Sequence, residues 1–314
     1  MRPRGMSAVR ARMLVAGALV VLAVVPAAIA PAQERIRVLA TLPDLWSITR
    51  ALVGDLGEVQ VATRPGQNPH DLEIRPSQIL LVKRAEILVR NGLDEDAWID
   101  PVIESSGNPR LLRGSPSVVE AVRGLQILKV RTGQVDRSLG DVHPAGNPHF
   151  TLDPSNMPEV TATIVAGLTR LRPDLGERLE ANRRAFLEEV DAALRRWREM
   201  VAPYRGAPMV SYHDSWPYFY RAFGFEEMGI IENRPGVPSS PRHLAALIRQ
   251  MQERRVKVVL LESWYPPDTA AAVAKATGAR LVVVPQSPGA TKGTDTYITH
   301  MDTLVTAVTR ALGE

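Results

Sequence analysis

The 314 residues carry 38 basic and 34 acidic side chains, six histidines and no cysteine, with 45% hydrophobic and 23% charged residues. This is the make-up of an ordinary globular protein of about two domains, and it excludes disulfide scaffolds and thiolate metal sites. The net charge of +4 sits at the N-terminus, where MRPRGMSAVRAR has four arginines and no acid; without residues 1–32 the chain is neutral. With aromatics at 5% and no basic cluster elsewhere, nucleic acid is not an expected partner.

Residues 13–29 follow the basic head as an unbroken apolar run, which exits through the small residues AIAPAQ. This is the pattern of a secretory signal peptide. A run of roughly 17 with a proline near its end is short for a membrane span. Pro31 disfavours a cut directly after Ala30, so cleavage is expected after Ala32. No cysteine stands there to carry a lipid. The mature protein is expected free in a Gram-negative periplasm.

IRVLA reads as a strand running through TLPD into a helix over 45–53. VQVAT is a second strand, followed by the loop RPGQNPHDLEIRPS, a helix over 76–83 and the strand EILVRNG (86–92). This β-then-α alternation predicts a parallel sheet covered by helices. Residues 105–148, rich in Gly, Pro and Ser, read as irregular, and a helical pattern returns over 157–171. The longest helix is expected over 175–201, with Leu175, Leu179, Phe186, Val190, Leu194, Trp197 and Val201 on one face and Pro173 and Pro203 outside its ends. At ~1.5 Å per residue it runs about 40 Å, long enough to be a rigid connector.

After it the alternation restarts. MVSYHD, VKVVLLES and LVVVP are strands; WPYFYRAFG, HLAALIRQMQERR, DTAAAVAKATG and TYITHMDTLVTAVTRALG are helices. The fold class is α/β: two βα lobes with parallel sheets joined by one long linker helix. The expected divisions are a signal peptide (1–32), an N-terminal lobe (33–172), the linker (173–202) and a C-terminal lobe (203–314).

Two of the six histidines stand in matched settings, NPHDLEIRP (68–76) and GNPHFTLDP (146–154). His70 and His149 each follow a stiff Asn-Pro step, and His213 ends the strand MVSYHD. Ends of parallel strands are where such sheets present ligand-contacting groups. Asp71 and Asp214 follow two of these histidines and could orient imidazoles as outer partners. His143 could belong to the same site but is expected to order its loop, while His243 and His300 are expected to be structural. Glu262 ends the apolar strand VKVVLLES. An acid there is costly unless paired or metal-bound, which makes it the preferred fourth ligand beside His70, His149 and His213. Three imidazoles and a carboxylate favour Zn²⁺ over Mn²⁺, which wants more oxygen.

NPHDLEIRPS, DVHPAGNPHFTLDP, SYHDSWPYFYRAFG and VVLLES with the later DTYITHM span nearly the whole mature chain. Together they resemble the zinc/manganese class of periplasmic ABC-transporter solute-binding proteins, the metal-binding cluster A-I family, with the zinc subgroup favoured. The resemblance implies two lobes joined by a long helix, a metal held between them, and His70, His149 and His213 as ligands. It also implies delivery to an ABC-transporter membrane permease, with a periplasmic metallochaperone as a further candidate partner, and a chain acting as a monomer. There are two departures. The family usually supplies an aspartate after the last strand, where Pro285, Gln286 and Ser287 stand here, so Glu262, Gln286 or water is the fourth ligand. Residues 115–142 also lack the histidine-rich loop of many zinc members. His213 stands where manganese members often have an acid, which argues for zinc.

The expected function is high-affinity zinc capture without catalysis. The alternatives are a manganese- or iron-binding member of the same family and, in a different class, a secreted zinc-dependent hydrolase. The chain lacks both HExxH and GxSxG, and Glu262 is the sole obvious base for a metal-bound water.

Overall fold

The structure, a computed structural model, describes residues 35–130, 143–234 and 236–314. The expected signal peptide and its cleavage point lie outside the described residues, as do residues 131–142 of the loop before His143. Residues 35–314 form one compact body.

The body contains two four-stranded parallel sheets. The first takes strands β1 (Ile36–Ala40), β2 (Gly57–Val61), β3 (Ile87–Arg90) and β4 (Val118–Glu120) in the order β2-β1-β3-β4. The second takes β5 (Pro208–Ser211), β6 (Glu226–Ile230), β7 (Val258–Glu262) and β8 (Arg280–Val284) in the order β6-β5-β7-β8. The two orders are the same. In each, the chain leaves the first strand toward one side and later returns to the other, so a crevice opens at the C-terminal ends of the two central strands.

The central strands are apolar because they are covered on both faces. In β7, Val258 and Leu260 face a core shared with the rest of the body, while Val259 and Leu261 face a second cluster with Leu247 and Met251. In β1, Val38 and Ala40 join the shared core, and Leu39 packs on the opposite side with Val82, Leu88 and Ile99. The shared core is continuous from Ile36 through the helices to Leu312.

Helices α1 (Pro43–Val53), α2 (Pro76–Arg84), α6 (Pro217–Phe223) and α7 (Pro241–Arg254) all begin with proline. Its fixed φ suits the first turn, where no donor is wasted. α6 and α8 (Asp268–Thr277) end at Gly224 and Gly278, whose φ of 74° and 73° admit glycine at little cost.

α5 (Gly176–Val201) is the long helix expected from the spacing, entered through a 3₁₀ turn at Pro173–Leu175. Leu179, Phe186, Val190, Leu194, Trp197 and Val201 are buried along its length. It packs against α1, α4 (Met157–Leu171) and the final helix α9 (Tyr297–Gly313). α9 is also fastened to the first lobe: the Tyr297 backbone N–H donates to Ser47 Oγ at 2.8 Å, and its hydroxyl donates to the Thr151 carbonyl at 2.8 Å. A second helix therefore spans the two lobes beside α5.

The structure adds three elements to those read from the sequence: α3 (Ile99–Ser106), β4 and β6. β4 is only three residues long, inside the stretch expected to be irregular. β6, with the sequence EEMGI, is half-exposed throughout. Both are edge strands, so neither carries the continuous apolar run that marks a covered strand.

Candidate metal centre

The two Asn-Pro-His steps fold alike. Asn68 Oδ1 accepts the His70 backbone N–H at 3.1 Å, and Asn147 Oδ1 accepts that of His149 at 3.1 Å. Each is an Asx turn stiffened by the intervening proline, and each fixes where the imidazole leaves the backbone. His70 lies in the loop after β2. His149 precedes a 3₁₀ turn at Phe150–Leu152 whose Phe150 is fully buried. His213 lies just past β5 and is 5% exposed.

The three rings converge. One nitrogen from each of His70, His149 and His213 lies within 4.8 Å of the others. The ring centroids are 6.0 Å apart for His70–His149, 5.2 Å for His70–His213 and 5.9 Å for His149–His213.

Hydrogen bonds behind the rings set the tautomers of two of them. His213 Nδ1 is 2.8 Å from Glu232 Oε2, and His149 Nδ1 is 3.1 Å from Asn147 Oδ1. Both partners are acceptors, so each Nδ1 donates and each Nε2 presents a lone pair to the centre. Burial pushes the His149 pKa down to about 3; Glu95 opposes this, while His213, His70 and His143 add to it. At neutral pH the ring is uncharged, the form that binds a metal.

A carboxylate that the sequence reading did not foresee joins this cluster. Glu95 follows β3, in a turn where Gly92, Leu93 and Asp94 all have positive φ, of 89°, 54° and 60°. For Leu93 in particular this conformation is uncommon. The turn is held by Asp96, which accepts from Thr41 Oγ1 at 2.7 Å and pairs with the buried Arg90 at 3.3 Å. Glu95 Oε1 lies 3.7 Å from His70 Nε2, and its Oε2 lies 3.2 Å from His143 Nε2. His70, Glu95 and His143 form a second group with ligand atoms all within 4.8 Å of one another. Burial acts to raise the Glu95 pKa, but His70, His143 and His149 outweigh it and hold the carboxyl well below the usual range. The available signal was the acidic run Asp94-Glu95-Asp96 directly after the buried strand.

Glu262, the preferred fourth ligand of the sequence reading, has its Oε2 buried without a hydrogen bond, as Gln286 Oε1 is. It is fully buried at the end of β7, its Oε1 accepts from Trp216 Nε1 at 3.0 Å, and it belongs to neither group of clustered ligand atoms. Burial raises its pKa, against the influence of His213, Ser215 and Trp216. Gln286, the other fourth-ligand candidate, lines a cavity together with His149, Glu95, Trp264 and Tyr297, and its Oε1 is buried without a hydrogen bond.

The aspartates next to the histidines do not orient them. Asp71 is exposed, and Asp214 pairs with Lys129; Glu232 and Asn147 take the orienting role. His243 and His300 bind the backbone carbonyls of Ile230 at 2.9 Å and Pro285 at 2.8 Å. His143 both orders its loop, through Leu93, and stands in the second cluster.

Known proteins agree with this architecture. A family model described as ZnuA, the periplasmic component A of the zinc-uptake complex, matches residues 38–311. The iron-binding protein YfeA of Yersinia pestis is 26% identical over 289 residues, covering 90% of this chain and 88% of that protein. The high-affinity zinc uptake system protein ZnuA of Paracoccus denitrificans is 24% identical, covering 94% and 98%. Among solved structures, a zinc-bound ZnuA deletion mutant superposes with a TM-score of 0.73 at 21% identity, over 88% of this chain and 98% of that one. A manganese-bound periplasmic metal-binding protein from Candidatus Liberibacter asiaticus gives 0.74 at 20% identity, over 89% and 100%. These two likenesses establish the same two-lobed fold.

Proposed function

This chain belongs to the ZnuA family of periplasmic metal-binding solute-binding proteins, and from that premise we propose that its cargo is Zn²⁺, bound by His70, His149 and His213 between the lobes and handed to an ABC-transporter permease. The observation that carries the reading is the convergence of three imidazole nitrogens from separate loops within 4.8 Å. Nitrogen-rich sites suit zinc, whereas manganese prefers oxygen. Water or Gln286 Oε1 fills the fourth position, and Glu262 supports Trp216 from behind. The protein is a carrier and not a hydrolase, exported by cleavage after Ala32 and acting as a monomer.

Release follows from loop movement with small lobe displacement. The continuous core and the paired spans of α5 and α9 resist a wide hinge opening. A comparison of metal-free and zinc-bound crystal structures tests this, and a wide opening contradicts it.

Metal analysis with competition titration of purified wild type and His149→Ala tests the assignment. Wild type is expected to bind about one zinc per chain. Structural zinc sites are worth roughly 10–16 kcal/mol in all, or about 3 kcal/mol per ligand, so the variant should bind on the order of a hundredfold more weakly. Equal affinity in both proteins would overturn the reading.

A further inference from the structure

We propose that His143, Glu95 and His70 form a second seat for a divalent cation beside the three-histidine centre, and that the cation passes through it on the way in and out. The proposal rests on the zinc reading above and adds a route to it.

The donor set suits a cation. His143 Nδ1 is 3.0 Å from the Leu93 carbonyl, which can only accept, so this nitrogen carries a proton and Nε2 is left facing Glu95. Nε2 lies 3.2 Å from Glu95 Oε2. An imidazole nitrogen and a carboxylate oxygen this close in a mostly buried site are both ligand types that a divalent cation accepts. His70 Nε2, 3.7 Å from Glu95 Oε1, supplies the third ligand atom.

The backbone has been shaped to bring these atoms together. Leu93 and Asp94 adopt left-handed conformations that non-glycine residues rarely take, and Asp96 clamps the turn from behind. Strain kept by such anchoring marks a place where side-chain direction matters.

Position and sharing make the seat a stepping place. The His143 and His70 side chains keep 12% and 11% of their surface exposed, against 6% for His213, so the second seat is open to solvent. His70 Nε2 can serve one cation at a time. It binds the cation with Glu95 and His143, then with His149 and His213.

Stopped-flow kinetics separate a stepping place from a ligand of the main centre. Zn²⁺ capture is followed against a fluorescent chelator, and release into EDTA at concentrations where the rate no longer depends on EDTA. His149→Ala removes a main-centre ligand and should accelerate release. His143→Ala should slow capture and release together, by about tenfold each, because a stepping place is crossed in both directions (a barrier change of about 1.4 kcal/mol). Faster release in His143→Ala, or unchanged rates in both directions, overturns the proposal. A second measurement uses a chain carrying His149→Ala and His213→Ala. Its residual zinc binding should fall at least tenfold when His143→Ala is added, and equal residual binding with and without His143 also overturns the proposal. The zinc reading itself fails by a different result, namely no zinc bound to wild type.

Discussion

The two lobes have the same strand order but bring different numbers of candidate ligands to the crevice. From the first come His70, Glu95, His143 and His149, all on loops; from the second, among the clustered groups of the described residues, comes His213. The loops of the first lobe are held by local devices: two Asx turns and the Asp96 clamp. His213 is held by one carboxylate, Glu232, which also accepts the Gly236 backbone N–H at 3.1 Å. On the proposed reading, the difference makes the first lobe the collector of the cation, while the second completes the coordination from a fixed point.

Replacing the single contribution of the second lobe gives the largest expected effect. His213→Ala should weaken zinc binding on the order of a hundredfold, as estimated for one lost ligand. It should also leave the zinc-bound protein no more resistant to heating than the metal-free form at matched, low zinc concentrations, which thermal melts would reveal. Affinity within a few fold of wild type would mean that the first lobe holds the cation alone.

A smaller effect is expected behind that ligand. Glu232→Gln removes the charge that orients His213 but keeps an acceptor, and zinc affinity should fall about tenfold, at the low end of the range for outer partners. Competition titration measures it. A loss as large as that of His213→Ala would show that the fixed point is Glu232 itself.

The smallest effect at neutral pH concerns His300, which lines the same cavity as His149 and Gln286 and binds the Pro285 carbonyl. Burial lowers its pKa to about 4, with the Pro285 carbonyl opposing. The unfolded chain, at the ordinary value of about 6.5, therefore binds a proton that the folded chain refuses between pH 6.5 and 4. Stability of the metal-free protein should fall as pH drops through this window. His300→Gln, which keeps a donor for Pro285, should remove about one proton from the slope, about 1.4 kcal/mol per pH unit. Urea titrations at pH 7, 6 and 5 would show it, and identical slopes in the two proteins would refute it.

Much of this was legible in the residues. The covered strands β1, β3, β5 and β7 announce themselves as apolar runs, and α5 by a single buried stripe between prolines. The edge strand β6 did not, since EEMGI is half-exposed throughout and, among the described residues, pairs only with β5. His70 and His149 were visible through their shared Asn-Pro step, whose turn is local. Glu95 was hidden because it depends on φ values at Leu93 and Asp94 that no residue type there advertises. Glu262 was suggested by the cost of burying an acid; the partner it finds is Trp216, 46 residues away in sequence.

The central claim is that imidazoles from both lobes share one zinc ion. Diffraction from zinc-loaded crystals at the zinc absorption edge tests it most directly. The account predicts a principal anomalous peak about 2.0–2.1 Å from the Nε2 atoms of His70, His149 and His213 together. A principal peak bonded to fewer than three of these rings, or centred on Glu262, would contradict it.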